Sequence, residues 1–83
     1  MRPSDIKKAR YIAGRILNKN KLSQNQFANL LGLSDGRRIR EWEVGDKQPN
    51  GSAQIIIEYI LTKEKNDNLH ENDFLDYIAK NVE

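Results

Sequence analysis

The six residues Leu22-Ser23-Gln24-Asn25-Gln26-Phe27 constrain this chain more than any other stretch of it. Ser23 is followed three residues later by Gln26, the reciprocal pattern in which each side chain satisfies a backbone amide at a helix start. Leu22, just before the cap, is spaced to pack on Phe27 as a hydrophobic staple. Phe27, Ala28 and Leu31 then mark a short buried face, and Gly32 stands where a left-handed residue would stop the helix. Start and stop together predict a helix over residues 24–31.

After a turn around Leu33-Ser34-Asp35-Gly36, another helix is expected over residues 36–44. At about 100° per residue, Ile39 and Trp42 fall on one side, with Glu43 close to them, so this side faces a core. Arg37, Glu41 and Val44 point away from it, and Arg38 and Arg40 flank that outward face. Gly45 and Asp46 end the helix. Arg37 and Arg38 therefore lie at a helix start, where the backbone dipole is positive and a cation costs a few tenths to about 1 kcal/mol.

Around this pair the pattern stays helical. Pro3 and Ser4 open a first helix, with Ser4 as its N-cap, and Ile6, Ala9, Ile12, Ala13, Ile16 and Leu17 share one stripe. The turn-rich residues 47–52 lead to a fourth segment that Ser52 is placed to cap. Its three consecutive isoleucines also suit a strand, but its length and the spacing of Ala53, Ile56, Ile57, Ile60 and Leu61 favour a helix. With Ile55 and Tyr59 added, that helix is apolar around much of its circumference and needs cover on more than one side. Residues 64–68 read as a linker, and Phe74, Leu75, Ile78 and Val82 form one stripe on a last helix over residues 71–81. The expectation is an all-α fold of five helices. Residues 1–65 form a helix-turn-helix domain, and residues 66–83 a linker and C-terminal amphipathic helix.

Composition narrows the function classes. The 83 residues contain no cysteine and a single histidine, His70, so disulfides and thiolate metal sites are excluded and little is left for triad chemistry. No nucleophile–base pair, metal cluster or glycine-rich phosphate loop is present, so neither an enzyme nor a cofactor is expected. No apolar run approaches the roughly 18–20 residues of a membrane span, and no signal peptide is evident. A soluble, cytoplasmic protein is expected. The net charge of +2 hides an asymmetry: residues 1–65 hold thirteen Lys/Arg against seven Asp/Glu, and residues 66–83 one against five. A basic body suits a polyanion, and the acidic tail suits another role.

Two short helices joined by a tight glycine turn, the second basic, make a helix-turn-helix unit. The major groove of B-DNA, about 12 Å wide, admits one such helix, while the preceding helix crosses the phosphate backbone. The chain resembles the Cro/C1-type (XRE) helix-turn-helix family of phage and bacterial repressors, whose domain is of the lambda-repressor type. The matching residues are Leu22-Ser23-Gln24, Phe27-Ala28, Leu31-Gly32, Ser34, Ile39, Trp42-Glu43, Gly45 and Pro49, within about residues 20–62. Anti-CRISPR-associated repressors are similar in size and in the core formed here by Arg40, Trp42 and Gly45.

The resemblance implies roles. Arg37 and Glu41 fall at base-reading positions, with Arg38 beside them for a base or a flanking phosphate. Gln24 matches a phosphate-binding glutamine, and Arg40, Lys47, Gln48 and Ser52 would contact the backbone. DNA would then offset the dipole cost of the arginines, because a bidentate arginine–guanine contact contributes about 1–3 kcal/mol of discrimination. The resemblance also implies that Glu43 pairs with an arginine of helix one, with Arg10 the first choice and Arg15 the second. There is one departure: Gly32 and Ile39 are seven steps apart where the family has six. The extra residue falls in Ser34-Asp35-Gly36, where Gly36 would ease an unusual backbone.

The function expected is a homodimeric repressor of an inverted-repeat operator. Ile55, Tyr59, Phe74, Ile78 and Val82 form the expected dimer interface, since they offer more apolar surface than one small domain can cover. The rival reading is an antitoxin or adaptor whose acidic tail, residues 66–83, binds a protein. Blander roles stand beside the sharp ones: Arg37 and Glu41 as a solvated i,i+4 pair, Lys7, Lys8, Arg15, Lys19 and Lys21 as a solvated face, and Arg2 as a disordered arm.

Overall fold

The structure is a computed structural model that describes residues 1–17 and 19–82. Five helices make it up, and no strand occurs among the described residues: α1 (Pro3–Ile16), α2 (Gln24–Leu30), α3 (Arg37–Val44), α4 (Gly51–Lys65) and α5 (Glu71–Asn81). The all-α, five-helix expectation holds. Among the described residues no helix is long and apolar enough to cross a membrane.

Local chemistry explains α2 end to end. Ser23 Oγ accepts the Gln26 N–H at 3.0 Å, and Gln26 Oε1 accepts the Ser23 N–H at 2.9 Å. At the other end Gly32 takes φ +80°, so that its N–H reaches Asn29 O at 3.1 Å and the Leu33 N–H reaches Ala28 O at 2.8 Å. This paired closure satisfies the last carbonyls and needs a left-handed residue, which glycine adopts without steric cost. Leu22 and Phe27 are both buried, as the staple requires.

Two helix starts differ from expectation. Ser4 does not cap α1: the N-cap is Arg2, Pro3 occupies the first turn, and Asp5 Oδ2 accepts the Arg2 N–H at 3.1 Å. Proline suits that position because its missing N–H would have had no helical partner. Ser52 does not cap α4 either, because the helix begins at Gly51, two residues sooner than a Ser52 cap would have it, with Asn50 as N-cap. The buried Pro49 delivers the chain directly into it.

Helix α1 packs on both α3 and α4, α2 packs on α3, and α5 packs on α4. Ile6 and Ala13 of α1, Phe27 of α2, Ile39 and Trp42 of α3, and Ile56, Ile57 and Ile60 of α4 meet in one core. The apolar circumference of α4 is thus covered from two sides, by α1 and by α5. That arrangement corrects the expected dimer surface. Phe74 is fully buried inside its own chain and has no surface left for a partner, and Ile78 and Val82 are half-buried against the same core. Tyr59 stacks on Tyr77 with ring centroids 4.0 Å apart, and Phe74 lies 6.4 Å from Tyr59. Of the five residues only Ile55 stays open, at 44% exposure. The final turn also reaches α2: a Cβ built on Gly32 would lie 2.5 Å from Val82 Cγ1.

Candidate nucleic-acid interface

The start of α3 carries the site. Gly36 is the N-cap and supplies no side-chain bond. Asp35 supplies it instead, its Oδ1 accepting the Arg37 N–H at 2.9 Å. A carboxylate at this end offsets the dipole cost of two arginines and satisfies one otherwise open amide. The sequence held a signal for this, an aspartate just before a helix start, which a reading of Ser34-Asp35-Gly36 as a spacer passes over.

Gly36 has an ordinary φ of −81°, so the expected unusual backbone is absent. Space is the reason for glycine there. A Cβ would lie 2.7 Å from Asn25 Oδ1 and 2.9 Å from both Asn25 N and Gln24 C. Two of those three atoms are backbone, so any side chain at position 36 forces α2 and α3 apart. The approach is closed by the Gly36 N–H, which donates to Asn25 Oδ1 at 2.7 Å. Asn25 carried no local signal, because the bond spans eleven residues.

The starts of α2 and α3 enclose an open groove of about 480 Å³ lined by Ser23, Gln24, Asn25, Asp35, Gly36, Arg37 and Arg40. On the turn side a second groove, of about 450 Å³, is lined by residues 32–35 with Arg37 and Arg38. Arg37 borders both and forms the ridge between them. The structure therefore brings Gln24, Arg37 and Arg40 together, with Arg38 across the ridge. All three arginines are exposed, and none has a carboxylate within ion-pair distance among the described residues.

The other candidates lie outside these grooves. Glu41 faces Lys47, whose Nζ is 3.4 Å from Glu41 Oε2, so the Arg37–Glu41 pair does not form. Gln48 and Ser52 are exposed on the connection and the first turn of α4. Beneath the site lies the expected ion pair, with Arg10 as the partner. Arg10 Nε is 2.8 Å from Glu43 Oε2 and Nη2 is 3.1 Å from Oε1, while Nη1 donates to Leu22 O at 2.7 Å. Both side chains are about nine-tenths buried. One guanidinium thus ties α1, the approach to α2 and α3 together. Gln24 Nε2 also donates to Glu43 Oε1, at 3.2 Å, so the glutamine at the groove wall is held from below. Arg15, the second choice, pairs with Glu64 on α4 instead.

No family model, curated protein or solved structure matches this chain.

Proposed function

We propose that this chain is a sequence-reading DNA-binding protein, a transcriptional repressor that works as a homodimer on an inverted repeat. The observation that carries the reading is the ridge of Arg37, Arg38 and Arg40 on a helix start braced by Asp35. Arg10 and Arg15 are matched with carboxylates, Glu43 and Glu64, whereas the three ridge arginines have none within ion-pair distance among the described residues. The ridge is left to an external anion. Eight residues of α3 span about 12 Å, which fits lengthwise into a major groove. Arg37 is the base reader, Arg38 and Arg40 serve flanking phosphates or bases, and Gln24 offers its second amide hydrogen to the backbone. Lys47, Gln48 and Ser52 extend the phosphate contact, and Lys47 holds Glu41 beside them. The molecule measures 31 × 25 × 23 Å, so two copies side by side can set their α3 helices about 34 Å apart, one turn of DNA. The open Ile55 and the shallow groove it shares with Tyr59 and Tyr77 support a dimer contact on that face.

Footprinting on the DNA upstream of its own coding sequence tests this. Two protected half-sites about one helical turn apart, in inverted orientation, are the expected result. Uniform weak protection at every salt concentration contradicts it. A second reading has one observation in its favour: α5 exposes Leu75 among Glu71, Asp73 and Asp76, a surface that suits a protein partner of the antitoxin or adaptor kind. Removing residues 66–83 would strip Phe74 from the core, so a point variant is the cleaner test. Ile55→Ser should weaken site-selective DNA binding if two copies meet there, whereas the antitoxin or adaptor reading expects no site-selective binding by wild type for the variant to lose.

A further inference from the structure

Seven steps separate Gly32 from Ile39, and among them Gly36 lies against the first turn of α2, where its N–H donates to Asn25 Oδ1 at 2.7 Å. The backbones touch so closely that a Cβ at position 36 would meet Asn25 N and Gln24 C at 2.9 Å. Asp35 caps the same turn through the Arg37 N–H. Residues 35, 36 and 37 are therefore fixed at one end by their own helix and at the other by α2.

We infer that Asn25 is a positioning residue for sequence reading: its bond to Gly36 sets the axial position of α3, and with it the base that Arg37 reaches. This rests on the DNA-reading function proposed above. A helix that reads bases must be held in register against the helix that grips the phosphates, because phosphate contacts fix where the protein stands and base contacts supply selectivity. The other ties between α3 and the rest of the molecule, Ile39, Trp42 and Glu43, lie at its middle and far end. Among the described residues, Asn25 makes the side-chain hydrogen bond that ties the end carrying Arg37 to α2.

The test uses the full chain and two duplexes, one with the footprinted site and one of scrambled sequence. Asn25→Ala should lower the ratio of site to scrambled affinity about tenfold, the scale of one misread base pair, with affinity for the scrambled duplex nearly unchanged. Asn25→Asp keeps the acceptor for Gly36 and adds a negative charge. It should bind both duplexes more weakly while preserving their ratio. Gly36→Ala should lower the ratio as Asn25→Ala does, with no change of charge. In the free protein, hydrogen exchange at the Gly36 amide should quicken in Asn25→Ala and stay slow in Asn25→Asp. An unchanged ratio in Asn25→Ala, or equal loss of it in Asn25→Ala and Asn25→Asp, overturns the inference and leaves the DNA reading standing. A wild-type chain with no preference between the duplexes overturns both.

Discussion

Glu43 and Arg10 meet across the core as a two-pronged pair at 2.8 and 3.1 Å, and the same Glu43 Oε1 also accepts a hydrogen from Gln24 at 3.2 Å. One buried carboxylate thus anchors the fold and steadies a residue that lines the groove between the starts of α2 and α3. Removing one partner of a buried pair strands the other charge and costs about 3–5 kcal/mol. Glu43→Gln should therefore lower the melting temperature by well over 10 °C in a domain of this size, at roughly 4–8 °C per kcal/mol. Replacing the pair together, as Arg10→Met with Glu43→Leu, should recover much of the loss. Calorimetry on the two variants checks it, and a double variant no more stable than Glu43→Gln would contradict it.

Asp35 is expected to matter twice. Asp35→Ala removes the cap of α3 and should cost about 1 kcal/mol of stability. It also leaves the charges of Arg37 and Arg38 facing the dipole without their carboxylate. Asp35→Asn keeps the accepting oxygen and should recover most of the stability. Denaturant unfolding of the two variants separates the hydrogen bond from the charge.

Phe74 and Leu75 are neighbours with opposite fates. Phe74 is fully buried under α5, whereas Leu75 is 41% exposed. Phe74→Ala should destabilise the chain by about 3–5 kcal/mol, whereas Leu75→Ala should stay within about 0.5 kcal/mol. Similar losses from the two would mean that α5 does not dock as described.

Tyr59 gives the fold a limit on the alkaline side. Burial, helped by the nearby Asp73 and Tyr77, raises its hydroxyl above the usual 10.0. A phenol harder to ionise in the folded chain than in the unfolded one contributes stability that is complete below about pH 10. That stability is lost as pH rises through the raised value. Wild-type stability should fall faster above pH 10 than that of Tyr59→Phe, which keeps the stacking ring. Parallel curves for the two proteins would contradict this.

How much of this was legible in the sequence depends on the range of the interaction. Helix α2 was readable because Ser23, Gln26 and Gly32 act within one turn of their targets. The Arg10–Glu43 pair followed from a helical phase that put a glutamate beside Ile39 and Trp42, together with the family resemblance. Ser4 and Ser52 misled because the chain enters each helix two residues sooner, beside Pro3 and just after Pro49. The inward turn of Phe74 could not be read, since periodicity marks an apolar stripe without saying what covers it. Gly36 was singled out for its backbone freedom, but a tertiary contact explains it, and its partner Asn25 gave no local sign.

The central claim, that the arginine ridge at the start of α3 reads DNA, is tested most directly by one titration. Wild type and Arg37→Ala would each be bound to the upstream site and to a scrambled duplex at two salt concentrations. The expected result is tight, salt-sensitive and site-selective binding by wild type. In Arg37→Ala the selectivity should drop by about 1–3 kcal/mol, while the scrambled duplex is bound almost as before. Equal, weak binding of both duplexes by both proteins would contradict the claim.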